Sequence, residues 1–217
     1  MKSKIKILRL IHTLSPELGG PSNAIIDHSK AMIKKGYIVH ILTSDISNKI
    51  KTKIKDIKIF NKGPAFGNYG FNLNLLIWLV KNKDKYDFFI IHDIWRIYTL
   101  LARLLLKKYF VFIHGNLDPY FRFDLFKKIK KQIYWYFFEK KNLLLSKSIL
   151  LTSEVEKNLL NKSFVNTKDV YKLIRLIDNS EKKIIGIKKS FFDIKEKAAF
   201  EMLQQRKLRQ ISNKDMH

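Results

Sequence analysis

Three short stretches carry the side chains best suited to chemistry: the turn Gly19-Gly20-Pro21-Ser22, the pair His92-Asp93, and the run His114-Gly115-Asn116-Leu117-Asp118-Pro119. An unperturbed histidine titrates near neutral pH, so His92 and His114 are candidates to accept a proton or donate a hydrogen bond. Asp93, Asn116 and Asp118 place oxygen acceptors and one amide donor beside them. A glycine pair lets backbone N–H groups approach a ligand closely, which suits phosphate. Each stretch also has a plain structural reading: chain reversal for Gly19 and Gly20, a backbone-bonded loop for each histidine. Spacing alone leaves the glycine turn evenly balanced between the two.

The elements that must position these residues follow from periodicity. Residues 5–11 (IKILRLI) read as a strand running into the glycine turn and then into an amphipathic helix. Ser22 and Asn23 fit the helix cap, Pro21 its first turn, and Ala24, Ile25, Ser29, Met32 and Ile33 one apolar stripe. Gly36 marks the helix end, and residues 37–43 (YIVHILT) form a β-branched strand. After a Lys-rich loop, residues 57–60 are a third strand. A Gly/Pro/Asn loop over 61–70 then precedes residues 71–81 (FNLNLLIWLVK), apolar nearly all round and expected to be buried. Strands at 87–92 (DFFIIH) and 109–113 (YFVFI) flank a helix over 94–106. A long helical region over 121–147, a strand at 148–152 and a helix at 153–161 complete the pattern. This alternation predicts an α/β fold: a single Rossmann-like domain with a mostly parallel sheet flanked by helices. All strands of such a sheet end on one edge, so the glycine turn and both histidine loops should face one cleft. The rhythm fades beyond Phe164. Residues 170–177 offer one more strand, 195–209 a solvated helix, and 211–217 a tail.

Composition narrows the function classes. With 217 residues, 46% of them hydrophobic, the chain has enough apolar side chains to build a core. The absence of cysteine excludes disulfides, thiolate metal sites and a cysteine nucleophile. The carboxylates and histidines show no ligand spacing, so no metal is expected. The apolar run at 5–11 is too short for a signal peptide, and the longest uncharged stretch, 63–80, is broken by Pro64, Gly67 and Gly70. A soluble, intracellular protein is the expectation. The net charge of +24 points to anionic partners, but nearly all of it is lysine in an Ile- and Asn-rich chain. Roughly half of the excess is assigned to solvated faces without a partner. The charge is spread along the chain and no modular nucleic-acid signature is present, so no nucleic-acid partner is expected. The densest cluster lies over residues 122–147. There Arg122, Lys127, Lys128, Lys130, Lys131, Lys140, Lys141 and Lys147 interleave with aromatics. It suits an anionic membrane surface; the competing reading packs the aromatics of QIYWYFF in the core beneath a solvated lysine face.

The segments over residues 6–43, DFFIIHDIW, YFVFIHGNLDPY and SILLTSEVEKNLL, in this order, resemble the N-terminal half of family 4 glycosyltransferases. These are retaining enzymes of the GT-B architecture, two Rossmann-like domains around a cleft. The resemblance covers residues 4–164. It implies an acceptor-side domain over residues 1–165 that works on a nucleotide-sugar donor, with no cofactor beyond that co-substrate. The acceptor would be a hydroxyl of a cell-surface polysaccharide or lipid-linked glycan. On this resemblance Gly19, Gly20 and Gly115 approach the donor. His114 orients the sugar or stabilises charge at the reaction centre, and His92, Asp93, Asn116 and Asp118 lie on the acceptor side. The family's donor domain carries two glutamates eight apart, and no two glutamates here have that spacing. Residues 166–217 therefore read as a remnant or irregular tail. The expectation is a truncated gene product or a half that pairs with a separate donor domain, inactive alone, cytoplasmic and peripheral at the inner membrane face. The alternatives are a non-catalytic remnant and a basic protein binding a membrane surface or nucleic acid.

Overall fold

Continuous apolar runs become strands here because a parallel sheet is covered on both faces. A computed structural model of the chain describes residues 4–15, 20–46, 54–117, 125–151 and residue 156. Its strands are β1 (Lys6–Ile11), β2 (Ile38–Thr43), β3 (Lys58–Asn61), β4 (Phe88–His92), β5 (Tyr109–Phe112) and β6 (Ser148–Leu150). They form one sheet in the order β3-β2-β1-β4-β5-β6, and every pairing is parallel. The fold is Rossmann-like. The strand order reverses between β1 and β4, which in doubly wound sheets opens a crevice at the strands' carboxyl ends.

Each face has its own helices. Helix α1 (Gly20–Lys34) lays Ile25 and Met32 over Ile7, Ile11, Val39, Ile41, Ile90 and Phe112. On the opposite face, α2 (Leu73–Asn82), α3 (Ile97–Leu105) and α5 (Lys140–Leu144) cover Leu8, Leu10, Leu42, Phe89, Ile91, Val111 and Ile149. Before α5 the chain runs through α4 (Leu125–Tyr134) and a π-helical turn, Trp135–Glu139. Two glycines are required by geometry. Gly36 ends α1 at φ +90° with its N–H donated to Ile33 O at 2.8 Å, as its capping role predicts. At Gly63 a Cβ would meet Ser44 O at 2.2 Å, so only glycine lets the loop after β3 close on the end of β2.

Several expectations need correction. Helix α1 already includes Gly20, so Ser22 is not its cap; Ser22 Oγ instead donates to Thr13 O at 3.3 Å. Helix α2 is not buried all round: it forms an outer layer, with Leu75 and Leu79 inward and Leu73, Ile77 and Val80 exposed. Its cap is Asn72, whose side chain accepts from Leu75 N at 2.9 Å. The helix expected over 94–106 begins at Ile97, because residues 93–96 turn sharply. The aromatics of QIYWYFF do not all enter the core. The π turn aims only Trp135 and Glu139 inward, four residues apart, and leaves Tyr136, Phe137 and Phe138 exposed. Gly19, Asp118, Arg122, the rest of the helix expected at 153–161 apart from residue 156, and everything in 166–217 lie outside the described residues.

The two sides of α2 give a direct check by chemical denaturation. Leu79→Ala empties a fully buried site and should cost about 2–5 kcal/mol. Ile77→Ala on the exposed side should stay within about 0.5 kcal/mol.

Candidate functional site at the sheet's switch point

Side chains alternate along a strand, so Ile7, Arg9 and Ile11 of β1 point together toward α1. That places an arginine among apolar neighbours with no exposed surface. Its guanidinium is held on three sides. Nη1 donates to Ile25 O and to Ser29 Oγ, both at 3.1 Å, while Nε and Nη2 lie 3.2 and 3.0 Å from His92 Nε2. Ser29 Oγ in turn donates to Ile25 O at 2.6 Å. No carboxylate pairs with Arg9 among the described residues, and burial lowers its pKa to about 9, so it stays charged at neutral pH.

Arg9 and His92 straddle the switch point between β1 and β4. From His92 the contact passes on: its Nδ1 is 2.9 Å from His114 Nε2, and the two rings stack at 5.2 Å. Phe112 stacks against His92, His114 and His28 of α1, forming an aromatic layer beneath the helix. Burial, followed by the Arg9 charge, drives His114 down to about 3 and His92 well below the ordinary histidine value. Both rings are therefore neutral at physiological pH. Of the two roles read from the sequence, accepting a proton or donating a hydrogen bond, neutral rings favour the hydrogen bond.

The loops leaving β4 and β5 are shaped by unusual backbone. Asp93, Trp95 and His114 have φ of 70°, 69° and 49°, a region that side chains with a Cβ seldom occupy and that clusters at functional sites. Asp93 N donates to Phe112 O at 3.0 Å, Asn116 Nδ2 to Asp93 Oδ1 at 3.2 Å, and Trp95 Nε1 to Asn116 O at 3.1 Å. Gly115 donates its N–H to the Glu156 carboxylate. Burial raises the Asp93 pKa against the pull of nearby Arg96. His92, Asp93, His114, Gly115 and Asn116 thus form one connected group, as their sequence positions implied. Gly20 opens α1 on the same side of the sheet, while Gly19 and Asp118 are not described.

Sequence reasoning missed two sets of residues. Arg9 and Ser29 were hidden in apolar runs; the signal available was a charge inside a strand otherwise reading as buried. The second set joins the carboxyl ends of β1 and β2. Tyr98 OH lies 3.0 Å from His12 Nδ1 and 2.5 Å from Ser44 Oγ, which accepts from Asn72 Nδ2 at 2.9 Å. On the far side of α3, Glu139 is fully buried in the π turn, accepting from Thr99 Oγ1 at 3.1 Å and Asn142 Nδ2 at 3.5 Å. The described residues contain no cluster of His, Cys, Asp and Glu able to hold a metal ion.

No family model matches the chain, and no curated protein matches it. Solved structures do. A Listeria monocytogenes protein described as a UDP-N-acetylglucosamine 2-epimerase aligns at 12% identity and a TM-score of 0.45. The S. aureus MnaA–UDP co-structure aligns at 14% identity and a TM-score of 0.46. Each alignment covers 76% of this chain but 43% of the other, so this chain spans less than half the length of either protein.

Glu139 makes a measurable prediction. Burial raises its pKa from 4.5 to about 7, so the folded state keeps the proton longer than the unfolded state does. Stability from this group should fall as pH rises from 4.5 to 7, by about 3 kcal/mol, and then level off. Glu139→Gln, a stand-in for the protonated acid, should remove that slope when unfolding free energies of the two proteins are compared between pH 4.5 and 8. His92 and His114 act oppositely, their contribution being lost as pH falls below 6.5, and this cancels in the comparison.

Proposed function

We propose that the chain is the acceptor-side half of a retaining glycosyltransferase and binds a nucleotide sugar at the β1/β4 switch point. The observation that carries this reading is the Arg9–His92–His114 chain, which runs from a buried positive charge beneath Ile25 and Ser29 of α1 to a neutral histidine in the loop after β5. The N-terminus of α1 at Gly20 favours a diphosphate, and backbone at Gly20 and Gly115 can approach it. Neutral His114 suits the sugar, because it offers a hydrogen bond without competing for a proton. Asp93 and Asn116 then face the hydroxyl acceptor, a surface polysaccharide or a lipid-linked glycan. On this reading transfer requires a donor-binding domain as the opposite wall of the cleft, while residues 1–165 bind. Titration calorimetry with UDP-sugars should give weak saturable binding, and His114→Ala should weaken it by about tenfold, the worth of one hydrogen bond. Absence of binding to any nucleotide sugar by the wild-type chain overturns the reading.

We also propose that residues 122–147 dock on an anionic membrane surface, which makes the protein peripheral at the cytoplasmic face. No helix among the described residues is long and apolar enough to cross a membrane. What supports docking is the outward stripe of Ile129, Ile133, Tyr136 and Phe137, the last two 69% and 60% exposed, flanked by Lys130 and Lys141. Apolar side chains enter the headgroup boundary while each lysine adds about 1 kcal/mol of attraction. Co-sedimentation should show binding to anionic vesicles and not to neutral ones, reduced by Ile133→Glu with Phe137→Glu. Equal failure with both vesicle types sinks the proposal.

A further inference from the structure

The contacts around Arg9 determine where the protons of two histidines sit. A guanidinium has donors only. Arg9 Nε and Nη2 both approach His92 Nε2, at 3.2 and 3.0 Å, so that nitrogen must present its lone pair. The proton of neutral His92 is then on Nδ1. Nδ1 lies 2.9 Å from His114 Nε2 and donates to it, which makes His114 Nε2 an acceptor in turn. One proton remains for the neutral His114 ring, and it must occupy Nδ1. That atom has no hydrogen-bond partner among the described residues, and the His114 residue is half-buried.

We infer that Arg9 is a positioning residue that acts through His92 to fix His114 as an Nδ1–H donor at the switch point. The ligand atom His114 takes is accordingly an acceptor oxygen, and His114 serves as a neutral polar contact rather than a proton carrier. The ligand half of this statement rests on the nucleotide-sugar reading; the tautomer half does not. The direction of the chain is imposed from its buried end. Arg9 cannot accept, so neither imidazole can turn its proton around without leaving a buried donor unpaired. The titratable and charged groups facing the pair are Arg9 on β1, His28 on α1, and Asp93 and Glu156 at the edge loops. A buried guanidinium is a poor source of stability compared with an apolar side chain of similar size. Orienting His92 gives the charge a role that packing alone does not.

The test needs no ligand, so its failure is separate from failure of the nucleotide-sugar reading. Long-range proton–nitrogen correlation spectra of the ¹⁵N-labelled full chain report which ring nitrogen of each histidine is protonated. His92→Gln and His114→Gln spectra supply the assignments. In the wild type, both His92 and His114 should show protonated Nδ1 and bare Nε2, unchanged from pH 5.5 to 8. Arg9→Met removes every donor and should let His114 populate the Nε2–H form. Arg9→Lys keeps a donor and should retain the wild-type pattern, a rescue that a purely space-filling role does not predict. Should Arg9→Met fail to fold, the wild-type and Arg9→Lys spectra still decide. A wild-type His114 protonated at Nε2, or an Arg9→Met protein with the wild-type pattern, overturns the inference.

Discussion

A charged guanidinium with no carboxylate partner among the described residues, buried beneath α1, is the constraint around which this domain is arranged. Taking such an ion out of water costs several kcal/mol, and the cost is tolerable only when its donors are met. Arg9 meets that condition with a helix carbonyl, a serine hydroxyl and a histidine ring, which belong to α1 and β4. These partners tie three elements to one point. Moving α1 outward strands Nη1, and turning the His92 ring strands Nε and Nη2.

The position of that point gives it meaning. In the order β3-β2-β1-β4-β5-β6 the chain leaves β1 on one face and β4 on the other, so no connection covers the gap between them. Arg9 and His92 are the inward-facing polar residues on either side of the gap. The left-handed backbone at Asp93, Trp95 and His114 follows directly after the strands that bring them there. Hydrogen bonds among Asp93, Asn116, Trp95 and Phe112 over-determine these loops, which is how such conformations persist. Depressed histidine pKa values are a further result of the same burial and the same charge. They convert residues that look like proton carriers into fixed dipoles.

The opposite layer shows a different compromise. The π turn inserts Glu139 between α3 and α5 and turns three consecutive aromatics to the outside. A regular helix through this stretch would bring a different set of side chains to the sheet. The outcome is a polar core contact at Thr99 and Asn142 on one side and an apolar, lysine-flanked stripe on the other.

Strand identities, the parallel sheet, the helix end at Gly36 and the convergence of His92, Asp93, His114, Gly115 and Asn116 were all legible in the residues. Strand runs, glycine signals and the shared edge of a parallel sheet are properties of local sequence and topology. The burial of α2 was misread, because an apolar helix looks the same whether it is the middle or the outer layer. So was the fate of QIYWYFF, since the π turn that rotates it has no periodic signature. Protonation lay furthest from sequence. That a histidine ends β4 and another follows β5 is written in the chain. That both are neutral, and that an arginine 83 positions from His92 directs their hydrogen bonds, depends on burial and on an approach of 3.0 Å, which only the folded packing creates.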